Sequence, residues 1–270
     1  METTATERNN VVTTGQDDGA PIVFVHGFGC DGTMWRQVAP AFEDSRKVVT
    51  YDLTGMGQSD LSAYAPHRYA DLDAHAEDLW EILAELDLSG AVLVGHSVGA
   101  SIALLAAARA PERVSRLVMV SPSPSFLDDA TQGYRGGFSC EDLEGLVGFL
   151  DENHLGWSAQ MAPTIAGQPA GAPAAEELTR SFCRTDPAIA RHFGHVTFFA
   201  DQRGAFERAR HPSLILHCDD DALVPMPVAE WMRDSVPGTT LRVIPATGHC
   251  PHMTVPDIVV TEMRGYLGQG

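Results

Sequence analysis

Ala91-Val92-Leu93-Val94-Gly95-His96-Ser97-Val98-Gly99-Ala100 is an apolar strand that runs into a Gly-x-Ser-x-Gly turn and continues as the Ala-rich helix that follows. A strand that ends and a helix that begins within a few residues force the residue at the apex into a strained backbone. Its side chain then stands clear of the sheet. Gly95 and Gly99 suit the turn because side chains there would collide as strand and helix close on each other. The bare five-residue pattern arises by chance in roughly one chain in ten of this length, so the strand before it and the helix after it carry the argument. Ser97 is the candidate nucleophile.

Working outward, β-rich runs bounded by turn residues recur at 10–14, 22–25, 47–52, 91–94, 114–120, 213–217 and 240–244. Several are apolar throughout, as strands covered on both faces are. Helical patterns lie between them at 34–42, 72–86, 98–109, 228–235 and 257–266. This alternation predicts an α/β fold with a mostly parallel central sheet and helices on both faces. It breaks between Ser121 and His211, where several short helices separated by Gly and Pro replace it. The expected organisation is a first core segment at 1–122, an inserted helical cap at 123–211 and a second core segment at 212–270 that carries the remaining catalytic groups. Residues 166–174, Ala-Gly-Gln-Pro-Ala-Gly-Ala-Pro-Ala, read as a flexible connector within the cap.

The 270 residues are enough for one large domain with a sizeable core, and the formal charge of −18 repels phosphate backbones and anionic headgroups. Nucleic acid and membrane surfaces are therefore not expected partners. No apolar run reaches the roughly 20 residues of a spanning helix, and the first residues lack the pattern of a signal peptide, which points to a cytoplasmic protein. The cysteines, Cys30, Cys140, Cys183, Cys218 and Cys250, number 5 and show no Cys-x-x-Cys spacing, so they are expected to be reduced core packers rather than metal ligands. Neither metal nor organic cofactor is implied.

A serine hydroxyl is a poor nucleophile at neutral pH and needs a base in reach, with a third group to orient that base. After the strand at 213–217 come Asp219, Asp220 and Asp221, and after the strand at 240–244 comes Gly248-His249-Cys250-Pro251-His252. His249 at the strand exit is the expected base, with His252 as the alternative; spacing does not choose among the three aspartates. Ile22-Val23-Phe24-Val25-His26-Gly27-Phe28-Gly29 supplies a strand ending in a Gly-rich loop, whose Phe28 N–H, together with Val98 N–H, is the expected donor pair for a developing oxyanion. Thr54-Gly55-Met56-Gly57 lacks the further glycine and the lysine of phosphate-binding loops and reads as a structural turn.

These residues resemble the α/β-hydrolase superfamily, and within it the RsbQ-type branch, which is related to the plant strigolactone and karrikin receptors. The likeness rests on His26-Gly27-Phe28-Gly29-Cys30-Asp31, on the turn around Ser97, on Ser121-Pro122-Ser123-Pro124, Gly136-Gly137-Phe138 and Phe182-Cys183-Arg184-Thr185-Asp186-Pro187, and on Gly248-His249-Cys250-Pro251-His252-Met253. The resemblance implies that the acid is Asp221, which stands before Ala222-Leu223-Val224-Pro225. It also implies a four-helix cap over a closed, largely apolar pocket, here expected to include Phe28, Phe126, Trp157, Met161, Phe193, Val196 and Leu223. The expected reaction is serine hydrolysis of a small, mainly apolar ester, lactone or enol-ether-like compound, with a signalling output and a PAS-domain protein phosphatase as the partner this branch implies. A metabolic esterase, a hydrolase of carbon–carbon bonds and a non-catalytic receptor are the alternatives.

Overall fold

The computed structural model describes residues 3–268, so the chain ends 1–2 and 269–270, which the expected core segments include, lie outside the described residues. Seven strands, β1 (Val12–Gly15), β2 (Ile22–Val25), β3 (Lys47–Thr50), β4 (Ala91–His96), β5 (Val114–Val120), β6 (Ser213–Asp220) and β7 (Thr239–Thr247), form one sheet in the order β1-β3-β2-β4-β5-β6-β7. Only β1 is antiparallel to its neighbour; every other pair is parallel. This is the mostly parallel sheet that the alternating pattern predicts. The apolar run of β4 is buried at all six residues, whereas edge strand β1 is exposed along its length.

The helices are α1 (Ala5–Arg8), α2 (Asp73–Glu85), α3 (Val98–Arg109), α4 (Cys140–Glu152), α5 (His154–Ala166), α6 (Pro173–Arg184), α7 (Pro187–Phe198), α8 (Arg203–Glu207), α9 (Met226–Ser235), α10 (Pro251–Thr254) and α11 (Pro256–Leu267). Helices α4 to α8 lie between β5 and β6 in sequence, and α5 and α6 pack against each other. The 166–174 segment links two helices: Ala166 closes α5, Gly167 caps it at φ 64°, and Pro173 opens α6.

Three local expectations need correction. The continuous helix expected at 34–42 is two 3₁₀ turns, Gly32–Trp35 and Ala39–Phe42, because Pro40 has no amide to continue an α-helical ladder. The first strand begins at Val12 rather than at residue 10, since Asn10 sits at φ 46°, where its side-chain amide donates to Asp52 Oδ2 at 2.9 Å. Cys140 and Cys183 are exposed, not core packers; Cys30, Cys218 and Cys250 are the buried thiols.

Parallel strands place their C-terminal ends on one edge of the sheet, and the turns leaving β2, β4, β6 and β7 meet there. That edge carries Phe28, Ser97, Asp221 and His249.

Candidate active site

Ser97 has φ 54° and ψ −124°, a left-handed conformation that costs a non-glycine residue of order 1–3 kcal/mol. The surroundings hold it there. Ser97 N–H donates to Val120 O at 2.9 Å, and Ser97 O accepts from Ala100 N–H at 2.9 Å. A Cβ on Gly99 would meet His26 O at 2.5 Å, and one on Gly95 would strike the backbone of Gly99 and Ala100. The two glycines are thus required by the closeness of strand, loop and helix. The Ser97 side chain makes no capping bond to α3, which leaves its oxygen free for other work.

His249 follows Gly248, whose φ of 97° turns the chain out of β7. Its backbone is pinned from two sides: His249 N–H donates to Ile165 O of α5 at 2.7 Å, and His249 O accepts from His96 Nε2 at 2.9 Å. The imidazole Nδ1 lies 2.8 Å from Asp221 Oδ2 and 3.0 Å from Oδ1. An ionised carboxylate only accepts, so Nδ1 carries a proton, and in the neutral tautomer this leaves Nε2 as the acceptor. His249 Nε2 is buried and has no hydrogen-bond partner among the described residues. No hydrogen bond joins it to Ser97; both groups line one cavity, and bonds of this kind often tighten only around substrate.

The structure discriminates among the aspartates. Asp221 is fully buried on its side chain and its Oδ1 also accepts from Leu223 N–H at 2.9 Å and Val224 N–H at 3.1 Å. Burial alone would push its carboxyl up, but the neighbouring imidazole and these donors hold it below the usual carboxylate range. Asp219 is exposed and accepts from Ala246 N–H, while Asp220 is exposed and contributes only its carbonyl, to Gly248 N–H at 2.8 Å.

His252, the alternative base, is enclosed in the core with its ring 4.6 Å from Trp35 and 4.4 Å from His96, away from the cavity. Nothing in the sequence singled out His96, which supports the carbonyl of His249 from behind. His26 is likewise structural, since its Nδ1–H donates to Gly27 O and its Nε2 accepts from Leu53 N–H, both at 2.8 Å. The 54–60 segment is a turn held by Ser59, as expected: its Oγ accepts from Gly55 N–H and donates to Met56 O.

Burial pushes His75 and His96 down to about 3 and His252 well below its ordinary value, so the folded protein keeps them neutral. An unfolded chain binds a proton at each of these near pH 6.5. Their contribution to stability is therefore complete above about pH 6.5 and is lost as pH falls toward their folded values. Between pH 7 and 5, His75 and His96 each remove about 2 kcal/mol. Relief of the −18 charge works in the opposite direction, but few surface carboxylates protonate above pH 5, so the histidines dominate. The urea midpoint is expected to drop clearly from pH 7 to pH 5; an unchanged or higher midpoint would contradict this reading.

The cavity over Ser97 is small, about 30 Å³, and is lined by Phe28, Cys30, His96, Ser97, Phe126, Ile165, Leu178, Phe182, Thr197, Phe198, Leu223, His249 and Cys250. Of the expected pocket residues, Phe28, Phe126 and Leu223 line it. Trp157, Met161, Phe193 and Val196 do not, and the reason is a second layer of aromatics. The Trp157 ring meets Phe28 edge-on at 5.8 Å and packs on Phe182 at 5.4 Å, and Phe193 stacks on the other side of Phe28 at 5.9 Å. Both therefore support the wall. Val196 faces an outer groove shared with His192, His195 and Phe199, and Met161 is only partly buried against the core. Leu178 and Phe182 carried a signal, their i, i+4 spacing on α6; Ile165, Thr197 and Phe198 sit at helix ends, where spacing says little. The thiols of Cys30 and Cys250 are pushed up by burial and stay protonated.

The amides of Phe28 and Val98 take no part in the loop and turn hydrogen bonds that engage Ser97, Ala100 and Cys30. Val98 opens α3, so its N–H also lies at the positive end of a helix dipole. Among the described residues no cluster of His, Cys, Asp or Glu could hold a metal ion, and no helix is long and apolar enough to cross a membrane.

Residues 20–256 match the model of the alpha/beta hydrolase fold. The chain belongs to the α/β-hydrolase family. It is 33% identical over 271 residues to a strigolactone esterase of Pisum sativum, with both chains covered in full, and 32% identical to a karrikin insensitive 2 receptor of Petunia hybrida over 97% of this chain and 96% of that one. Among solved structures it is similar to a hydrolase from Oleispira antarctica, with 36% identity, a TM-score of 0.94 and coverage of 98% and 97% of the two chains. Relatives named as an esterase and as a receptor thus match nearly the whole length of the chain, helices α4 to α8 included. These matches support the kinship with strigolactone and karrikin receptors.

Proposed function

We propose that this hydrolase is a serine esterase acting on a small, mainly apolar ester or lactone through Ser97, His249 and Asp221. The observation that carries the reading is the buried Asp221–His249 pair, which leaves an unpartnered Nε2 at the cavity that Ser97 enters from its strained turn. Ser97 Oγ attacks the carbonyl carbon as Nε2 takes its proton, and the amides of Phe28 and Val98 hold the oxyanion. Collapse breaks the bond to the alcohol oxygen, which receives the proton from His249. Water then attacks the acyl-enzyme, giving up its proton to Nε2, and the acid leaves with Ser97 restored. The aromatic walls and the limited volume favour a compact apolar substrate. Release of p-nitrophenol from a short-chain p-nitrophenyl ester by the purified chain tests this; release no faster than in buffer would refute it.

The similarity to receptors of small molecules favours a second reading, in which slow hydrolysis serves signalling. In that case the partner is a protein that reads the cap; the RsbQ resemblance makes it a PAS-domain phosphatase in the cytoplasm. Single slow turnovers that change partner affinity support this reading, whereas rapid turnover of a metabolite supports the metabolic one.

A further inference from the structure

Thr197 lies in α7, is only 3% exposed and is one of the residues lining the cavity over Ser97, and its buried hydroxyl has no hydrogen-bond partner among the described residues. A helical threonine ordinarily satisfies that oxygen on the carbonyl of the preceding turn. The other helices of this chain follow the rule: Thr164, Thr179, Thr254 and Thr261 donate to Gln160, Ala175, Cys250 and Asp257 at 3.4, 2.8, 3.3 and 2.7 Å. Thr197 departs from it at a residue that lines the cavity over Ser97. Phe28, Phe126, Phe198 and Leu223 on the same wall have no polar side-chain atom to offer it, and no bond joins it to the polar groups that also line the cavity. A buried polar atom left in this way is costly unless a bound molecule completes it.

We infer that Thr197 is a specificity-determining residue, whose hydroxyl bonds a second oxygen of the substrate, outside the carboxyl group that Ser97 attacks. The substrate class narrows accordingly, from apolar esters in general to small esters or lactones that also carry an ether, hydroxyl or carbonyl oxygen. A threonine hydroxyl both donates and accepts, so any of the three satisfies it. The inference rests on the esterase reading for the position of the scissile bond, while the binding of the second oxygen is measurable without turnover.

The test compares p-nitrophenyl pentanoate with p-nitrophenyl 3-methoxypropanoate and p-nitrophenyl ethoxyacetate, in which one methylene of the acyl chain is replaced by oxygen at different depths. Comparing kcat/KM ratios between variants cancels the intrinsic reactivity of each ester. For at least one ether, the ether-to-pentanoate ratio is expected to fall about tenfold in Thr197→Val, the worth of one hydrogen bond to a neutral group, and to be largely retained in Thr197→Ser. Equal ratios in wild type and Thr197→Val for both ethers would overturn the inference. The melting temperature of Thr197→Val should match or exceed that of the wild type, since a methyl replaces an unpaired hydroxyl. A lower one would show that the oxygen serves the fold, and would also overturn it. Calorimetric binding of the intact esters to Ser97→Ala, with and without Thr197→Val, reads the same ratio without chemistry. Absence of hydrolysis by the wild type would thus remove the esterase reading, while the calorimetric ratio still decides the role of Thr197.

Discussion

Ser97→Ala is expected to lower kcat for a short-chain p-nitrophenyl ester by roughly 10³- to 10⁶-fold while the folded protein persists. The loss is large because the attacking atom itself is removed, leaving only binding and the oxyanion donors to act on water. The fold should survive for reasons visible around the turn. Alanine keeps the Cβ and so bears the same left-handed strain at φ 54°, and the serine hydroxyl makes no capping bond to α3 that would be missed. The backbone bonds to Val120 and Ala100 are untouched. Retention of most of the activity in the folded variant would end the proposed mechanism.

Asp221→Asn should cost about 10⁴-fold in kcat, and the geometry says why. Asp221 Oδ1 accepts from the amides of Leu223 and Val224, and in asparagine only the oxygen can occupy that place. The NH₂ group is then forced toward His249 Nδ1, where the carboxylate sits at 2.8 Å in the native protein. Nδ1 must become the acceptor and the proton must move to Nε2, which disables the base. Asp219→Asn and Asp220→Asn change exposed side chains that do not reach the imidazole, and each is expected to stay within a few-fold of wild type. A greater loss at either position would place the acid elsewhere.

The sequence made the turn at Ser97 legible because its requirements are local: an apolar strand, two glycines and a helix within ten residues leave few backbone solutions. His249 was legible for a related reason, since it leaves a strand directly after a glycine. The three consecutive aspartates were not separable by spacing. A register irregularity in β6 between Cys218 and Asp220 sets which carboxylate turns inward, and that depends on pairing with β7 rather than on local pattern. The cap was the least readable part. Its apolar residues announce burial, but which of them meets the cavity and which stands one layer behind is set by how the helices cross. Trp157 and Phe193 pack on Phe28, which lines the cavity, and Ile165, Leu178, Phe182 and Phe198 take the inner positions. At 34–42 the helical pattern is interrupted by Pro40, whose missing amide divides it into two 3₁₀ turns. His96 escaped notice because its contribution, a bond to the carbonyl of His249, joins residues 153 apart in sequence.

The claim at the centre of this account is that the cavity makes Ser97 a reactive nucleophile through His249. The most direct measurement is intact-mass and peptide mass spectrometry after treatment with a small fluorophosphonate, which reports the labelled residue irrespective of the natural substrate. One adduct per chain is expected on the peptide bearing Ser97, absent from Ser97→Ala and formed far more slowly in His249→Ala. An unlabelled wild-type protein, or labelling of Ser97 at the same rate without His249, would contradict it.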